Sequence, residues 1–549
     1  MAEKSGYYGK KRKFHSWGYE GEEISKEEVV IMTERMSQRL GVEIEKVLPD
    51  PTLDDIDLPD AKIKIPKTLE SFCTSEKWDR VFHAYGKSFK DLTKIYRRDF
   101  SNPPDVIAYP GNEVDIASVL DWCGENNYAA IPFGGGSSVT DGFTPPVGGE
   151  YAGSVIIDLG NLNKVLEVDP VSRCALIQAG TLGPSLEDQL KPHGFTLRHI
   201  PQSWEFSTLG GWIATRSSGH YASHLTHIDD MVESLRVVTP EGSLENRRLP
   251  GSGAGPSPDR IFIGSEGSLG VITEAWMRLQ GRVVYRANAA IAFKTFYEGA
   301  KAVRQITQAG LFPANCRYLD EQDAQFYGAG DGTHSMLLLG FESADHPMDP
   351  WLERALEICR DHGGTVTQQA GSDANALDTS RSGAQGNWRE QFRYLPRLMH
   401  TRAAMGVVSF TFETAYTWDK FEALDTEIIR RLRECQKQVT GGGIVCRRFS
   451  FLYPDGPAPY YSIVAPSTHA RSLEDYQTLS DVASDTLMEL GGTITHHHAV
   501  GRSFRPWYDQ EVDPLVRRMF AGAKNEIDPN WIMNPGMIVD KPAHFKIVS

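Results

Sequence analysis

The chain has no Cys-x-x-Cys pair, and its seven cysteines (Cys73, Cys123, Cys174, Cys316, Cys359, Cys435 and Cys446) are scattered and odd in number. Neither a disulfide framework nor a thiolate zinc site is indicated. Also missing is any apolar run near the 18 or so residues that cross a bilayer, and the first residues lack the apolar stretch of a secretory signal. The reading is of a soluble, cytoplasmic protein, and Lys546-Ile547-Val548-Ser549 does not match the Ser-Lys-Leu peroxisomal address. Positive charge is scarce: 57 Lys and Arg stand against 72 Asp and Glu, a net −15. A grip on nucleic acid therefore has little electrostatic support, and the basic cluster Lys10 to Lys13 reads as a solvated arm. No low-complexity tract or short repeat is present, so fibrous, solenoid and disordered classes drop out.

What is present is a globular composition in 549 residues, enough for two to four domains. Residues 1–100 are polar, with one helical pattern (Val29, Val30, Met32, Met36, Leu40) ending at Gly41, and read as a helical extension packed on the body. From Pro103 short apolar strands alternate with helices (Asp105 to Tyr109, Glu113 to Asn126, Ala129 to Phe133), which is α/β or α+β texture. A second boundary lies near Gly281 and Arg282, followed by helices at Glu298 to Ala309, Trp351 to Asp361 and Leu473 to Leu490. Two of these end alike, in His362-Gly363-Gly364-Thr365-Val366-Thr367 and in Leu490-Gly491-Gly492-Thr493-Ile494-Thr495. That echo of helix, glycine cap and β-branched strand predicts two half-repeats of one sheet. Asp528-Pro529 to Asn534-Pro535-Gly536 reads as a short closing helix and turn with a structural role.

Three glycine-rich segments carry chemistry. Pro132-Phe133-Gly134-Gly135-Gly136-Ser137-Ser138 follows a strand signal, and backbone N–H groups freed of Cβ atoms can line a nest for a pyrophosphate; a tight β-turn is the alternative. Pro201-Gln202-Ser203-Trp204-Glu205-Phe206-Ser207 leads into Ala214-Thr215-Arg216-Ser217, and Glu266-Gly267-Ser268-Leu269-Gly270-Val271-Ile272 makes a third. None has the Walker ending or opens a helix as Gly-x-Gly-x-x-Gly, which disfavours ATP and NAD. In this order and spacing the three resemble the FAD-binding domain of vanillyl-alcohol-oxidase type flavoproteins. The resemblance implies FAD as cofactor, with Pro132 to Ser138 at the pyrophosphate and the other segments around the rest. It also implies an α+β fold: a two-subdomain FAD domain at 101–283, an inserted cap at 284–498, and 499–549 completing the FAD domain.

Further along stand His496-His497-His498, Glu413-Thr414 with Trp418, Trp17-Gly18-Tyr19 and Arg80-Val81-Phe82-His83-Ala84-Tyr85-Gly86. Imidazoles near a reaction centre can move protons at neutral pH. On a strand His496 and His498 would share one face and His497 the other, unless the segment is a loop. A metal site or a hydrogen-bonded structural cluster are the alternatives, and no third metal ligand is evident beside them. With these segments the chain is similar to the alkyldihydroxyacetonephosphate synthase family of ether-lipid flavoenzymes. The similarity implies His497 and His498 as active-site groups with His496 supporting, and Tyr460, 36 residues before His496, as the catalytic tyrosine. It implies Arg317 as an activity-determining arginine, with an Arg317–Asp320 ion pair as the alternative. A second family arginine falls in register on Met399, and Arg397 replaces it only by a two-residue shift, Arg389, Arg393 and Arg397 sharing i, i+4 spacing.

The implied reaction exchanges the acyl group of acyl-dihydroxyacetone phosphate for a long-chain alcohol without net redox change. An FAD-linked oxidase or dehydrogenase of a hydroxylated substrate is the rival, although the Gly-His-x-Gly-Asp-Gly-Asn segment of its D-2-hydroxyacid branch is absent. A non-enzymatic FAD scaffold is the third class. Lipid substrates are compatible with a peripheral bilayer contact and with a homodimer, but no amphipathic basic helix argues for the former.

Overall fold

The computed structural model describes residues 10–542 apart from 45, 220 and 372–382; the Lys546–Ser549 terminus and its address reading lie outside them. Three larger sheets, with a two-stranded one of Phe195–Thr196 and Gln280–Gly281, organise an α+β molecule. The first runs Cys73–Thr74, Val106–Ala108, Gly153–Asp158, Tyr128–Phe133, the last three strands parallel. A parallel sheet is covered on both faces, and Gly153–Asp158 is accordingly buried at every residue. Its crossover helix, Glu113–Asn126, starts where the Asn112 side chain accepts the Asp115 amide and ends at Asn127 in the left-handed region, φ 54°. A five-stranded antiparallel sheet, Val165–Asp169, Cys174–Gln178, Val271–Arg278, Val232–Thr239 and Gly242–Glu245 in spatial order, shares one hydrophobic core with it.

From Tyr285–Phe293 onward the chain builds a seven-stranded antiparallel sheet, the sheet of the cap. The helices Phe296–Gln308, Asp349–Asp361, Trp418–Val439 and Ser472–Leu490 supply core residues against one face, where Ile291, Tyr318, Phe449 and Tyr461 point. Period-two alternation then turns the neighbours Arg317, Arg448 and Tyr460 to the opposite face, towards the FAD domain. The cap's function is thus written on the side of the sheet that its helices leave bare.

The N-terminal hundred residues tie both domains together. The expected helix forms at Lys26–Leu40, with a Ser25–Glu28 capping box and Gly41 at φ 67°. Trp78 and Phe82 pack with Ile107, Ile131 and Ile156 of the first sheet, whereas Phe89, Leu92 and Tyr96 join the cap core. The echo holds only once: Thr365–Ala370 is a strand, but residues 492–498 form a loop, because Ile494 donates its amide to Glu511 and the next amides turn to Glu413. No helix among the described residues is long and apolar enough to cross a membrane.

Candidate active site

A cavity of about 340 Å³ runs from the glycine-rich segments to the bare face of the cap sheet. Its floor is Pro132–Thr140, with Pro201–Ser203, Ser207, Ala214, Thr215, Ser217, Glu266, Gly267, Gly270 and Ile272 around it. The glycines are a steric requirement here. A Cβ on Gly135 would lie 1.8 Å from the Phe206 carbonyl oxygen and one on Gly134 2.3 Å from Thr208 Oγ1, while Gly136 and Gly267 have φ of 65° and 73°. Only a glycine backbone packs against residues 206–208, which leaves the amides of the loop lining the cavity, so the residues present fit an FAD pyrophosphate. Gly135→Ala is expected to weaken FAD retention about tenfold or more, since overpacking against backbone costs about 1–3 kcal/mol; the flavin-to-protein absorbance ratio after gel filtration measures it.

Other members of the three segments hold the cradle from behind. Trp204 packs against Gly183, Arg216 pairs with Asp229 at 3.2 Å, and the Ser268 carbonyl accepts from buried Lys524 at 2.6 Å, with Leu269 and Val271 in the core. Glu266 accepts the amides of Val500 and Gly501 at 2.8 and 2.9 Å, burial pushing its carboxyl up to about 7. Asn534 Nδ2 donates to the Glu266 and Gly142 carbonyls at 2.7 and 2.9 Å, so the closing turn props two cofactor loops. On the outer side Arg12 Nη1 donates to the Gly135 carbonyl at 2.5 Å, its guanidinium lying over Phe82 and Phe206. The basic cluster is therefore no solvated arm at Arg12, which is 3% exposed.

The cap brings Tyr460, His497, His498 and Arg317 to the same cavity. Tyr460, on the strand Pro457–Ala465, donates its hydroxyl to Thr411 Oγ1 at 2.9 Å. The Arg448 guanidinium stacks 4.1 Å from its ring centroid and is held by Asp323 at 3.2 Å. Burial raises the Tyr460 phenol while Arg448 works against it. Arg317 lies over Phe451 at 5.0 Å and Trp388 at 5.8 Å, and burial, with Arg448 adding repulsion, pushes it down to about 9. Asp320 has other work: its side chain caps the helix Glu321–Phe326 and accepts the Arg447 amide at 2.9 Å.

The triple histidine is a loop wrapped on one carboxylate. Glu413 Oε1 accepts the amides of His497 and His498 at 3.0 and 2.8 Å and the Thr495 hydroxyl at 2.9 Å, and Oε2 accepts the His496 amide at 2.5 Å. Glu413, His497 and His498 offer ligand atoms within 4.8 Å of one another, which supplies the third ligand the sequence withholds; yet this carboxylate already carries four hydrogen bonds, and what remains of its lone pairs suits a cation poorly. Burial drives His496 and His497 well below the ordinary imidazole value and lowers His498, where Glu413 opposes it. Lowered from an ordinary value near 6.5, all three are neutral at pH 7.

Arg397 is not among the cavity residues. It sits in a 3-10 turn, Leu395–Leu398, forked onto Glu205 at 2.6 and 2.7 Å and ion-paired with Glu22. Its charge is thus spent on a clamp between cap, cofactor segment and N-terminal extension. Sequence reasoning missed Arg448, Arg402, Arg39, Lys87 and Asp323, all lining the cavity. Burial pushes Lys87 down to about 7, Arg12 contributing. A signal existed for Arg448: an arginine inside the otherwise apolar strand Ile444–Leu452 is unusual unless paired or functional.

The fold and cradle define an FAD-dependent enzyme with a substrate-binding cap. Residues 104–247 match the family described as "FAD binding domain", and 284–538 match "FAD linked oxidases, C-terminal domain". An alkyldihydroxyacetonephosphate synthase of Dictyostelium discoideum is 29% identical over 84% of this chain and 78% of its own, and one of Caenorhabditis elegans 28% over 91% and 88%. A solved alkyldihydroxyacetonephosphate synthase superposes with TM-score 0.78 at 25% identity, covering 95% of this chain and 98% of its own. The chain thus carries the FAD-binding domain and the C-terminal domain of FAD-linked oxidases, and over most of its length it is similar to alkyldihydroxyacetonephosphate synthases.

Proposed function

We propose that the enzyme replaces the acyl group of an acyl-dihydroxyacetone phosphate with a long-chain alcohol, yielding an alkyl ether and a fatty acid. One observation carries this reading: the cavity that would receive FAD is also lined by four arginines, Arg39, Arg317, Arg402 and Arg448, against two acidic side chains. Both acids are engaged, Asp323 with Arg448 and Glu266 with two backbone amides. An arginine-rich cavity favours an anionic substrate, and arginine forks match phosphate oxygens. Part of the wall is apolar: Phe326, Leu395, Pro396, Ile444, Val464 and Met36 offer room for hydrocarbon chains.

Tyr460 and the neutral His497 and His498 are the groups that take and return protons, and Arg317 and Arg402 hold the phosphate. FAD, when bound, supplies an electron sink for the exchange. Arg402, on the helix Met399–Met405, is 9% exposed and donates to Ser409 Oγ at 2.5 Å and Met399 Sδ at 3.8 Å, both uncharged. Among the described residues no carboxylate pairs with it. Arg39 from the N-terminal helix shares the Phe326 ring with it, at 4.8 and 5.4 Å.

The direct test supplies palmitoyl-dihydroxyacetone phosphate and an isotopically labelled fatty alcohol and looks for labelled ether by mass spectrometry. Failure to form ether, with FAD bound and bleached by a hydroxylated compound, would turn the reading to an oxidase. Arg402→Gln is expected to raise KM for the phosphate substrate about 10- to 100-fold with kcat little changed, the loss of one charge-assisted contact. Arg397→Gln should instead leave KM within about twofold and lower the melting temperature by a few degrees.

A further inference from the structure

The proposed exchange has a proton to dispose of. The C1–O bond to the acyl group breaks with its electron pair on the departing carboxylate, a C1–O bond to the alcohol forms, and the alcohol's O–H bond is cut. A fatty acid stays ionised at neutral pH, so each turnover leaves one proton inside the cavity.

His497 lines that cavity, its ring 6.0 Å from that of Tyr460, and His496 behind it does not line it. From there a row of hydrogen-bonding atoms leads outward. His497 Nδ1 and His496 Nδ1 are 3.1 Å apart; His496 Nε2 is 2.7 Å from the Tyr453 hydroxyl and 3.2 Å from His227 Nε2; the Tyr453 hydroxyl is 3.0 Å from His227 Nε2 and 3.1 Å from the Thr226 hydroxyl, so its contact with His496 is the shortest of the set. His227 Nδ1 lies 3.2 Å from the Arg216 carbonyl and 3.3 Å from the Ser218 hydroxyl, on a half-buried ring beside Arg216, whose side chain is 55% exposed.

A carbonyl only accepts, so the Arg216 contact puts the His227 proton on Nδ1 and leaves Nε2 as an acceptor. Tyr453 then donates to His227, His496 Nε2–H donates to Tyr453, and His497 Nδ1–H donates to His496. Every donor in the row points away from the reaction chamber. We infer that His497, His496, Tyr453 and His227 form a proton-exit relay, in which each atom passes one proton outward and His227 releases its Nδ1 proton to solvent. Burial keeps His496 and His497 neutral, so they hand protons on instead of storing them. Tyr453 and His227 touch no substrate in this scheme and act through the histidines.

The inference rests on the ether-forming reading, and the test separates the two. Tyr453→Phe and His227→Gln are each assayed for labelled ether in weak buffer, with and without added imidazole. The relay predicts kcat lower by about tenfold or more, KM within about twofold, flavin spectrum unchanged, and recovery on adding imidazole to the variants but not to the wild type. Wild-type kcat in both variants, or a loss that imidazole does not repair, overturns the relay while the reaction stands. Absence of ether from the wild-type enzyme overturns the reaction and the relay with it.

Discussion

Tyr460→Phe should cut ether formation by about 10²- to 10⁴-fold, the range that a positioned proton-transfer group contributes, and leave FAD bound. The substitution deletes one oxygen. That oxygen donates to Thr411 at 2.9 Å and belongs to a ring held under Arg448, itself fixed by Asp323. The ring and its stacking survive the change, so the melting temperature and flavin spectrum should stay near wild type while labelled-ether turnover collapses. Half-maximal activity in this variant would move the proton chemistry to the histidines alone.

The second large effect belongs to a residue whose contacts are nearly all backbone. In Glu413→Gln, one acceptor oxygen becomes an NH₂ group facing at least one amide donor, so the four donors are left with a single acceptor oxygen and an N–H set against an N–H. Breaking such a buried network costs about 3–5 kcal/mol. The expected result is a melting temperature lower by several degrees and turnover down about 100-fold, because the His496–His498 loop loses its anchor. Thermal unfolding followed by tryptophan fluorescence, beside the ether assay, checks both. Wild-type melting and turnover would place the anchor elsewhere. The same loop gives the pH response a sign. Its imidazoles titrate lower in the folded chain than when unfolded, so their share of stability is complete above the unfolded value near 6.5 and is lost as pH falls towards the folded values.

Much of the architecture was legible in the sequence because local rules sufficed. Glu113–Asn126 is bounded by its own Asn caps, Lys26–Leu40 by a capping box and a glycine, and Tyr460 sits in a strand that reads as one. The cofactor cradle was legible for a similar reason, since close backbone approach leaves glycine as a mark. What resisted reading depends on partners far apart in the chain. The histidines bend around Glu413, 83 to 85 residues away, and no periodicity reports that. Arg397 satisfied the chemistry of a phosphate contact, yet Glu22 and Glu205, at separations of 375 and 192, claim it. Arg448 was hidden by the reverse effect, a charged residue in an apolar strand whose purpose appears only when Asp323 and Tyr460 arrive beside it.

Arg12 on the Gly135 carbonyl, together with the Arg397–Glu22 tie, bears on time and not only on affinity. A segment with no part in the chemistry lies across the cofactor loop and is latched to the cap. Loss of FAD should then wait on the lifting of that latch, so the enzyme is expected to keep its colour through dilution longer than equilibrium binding alone would allow.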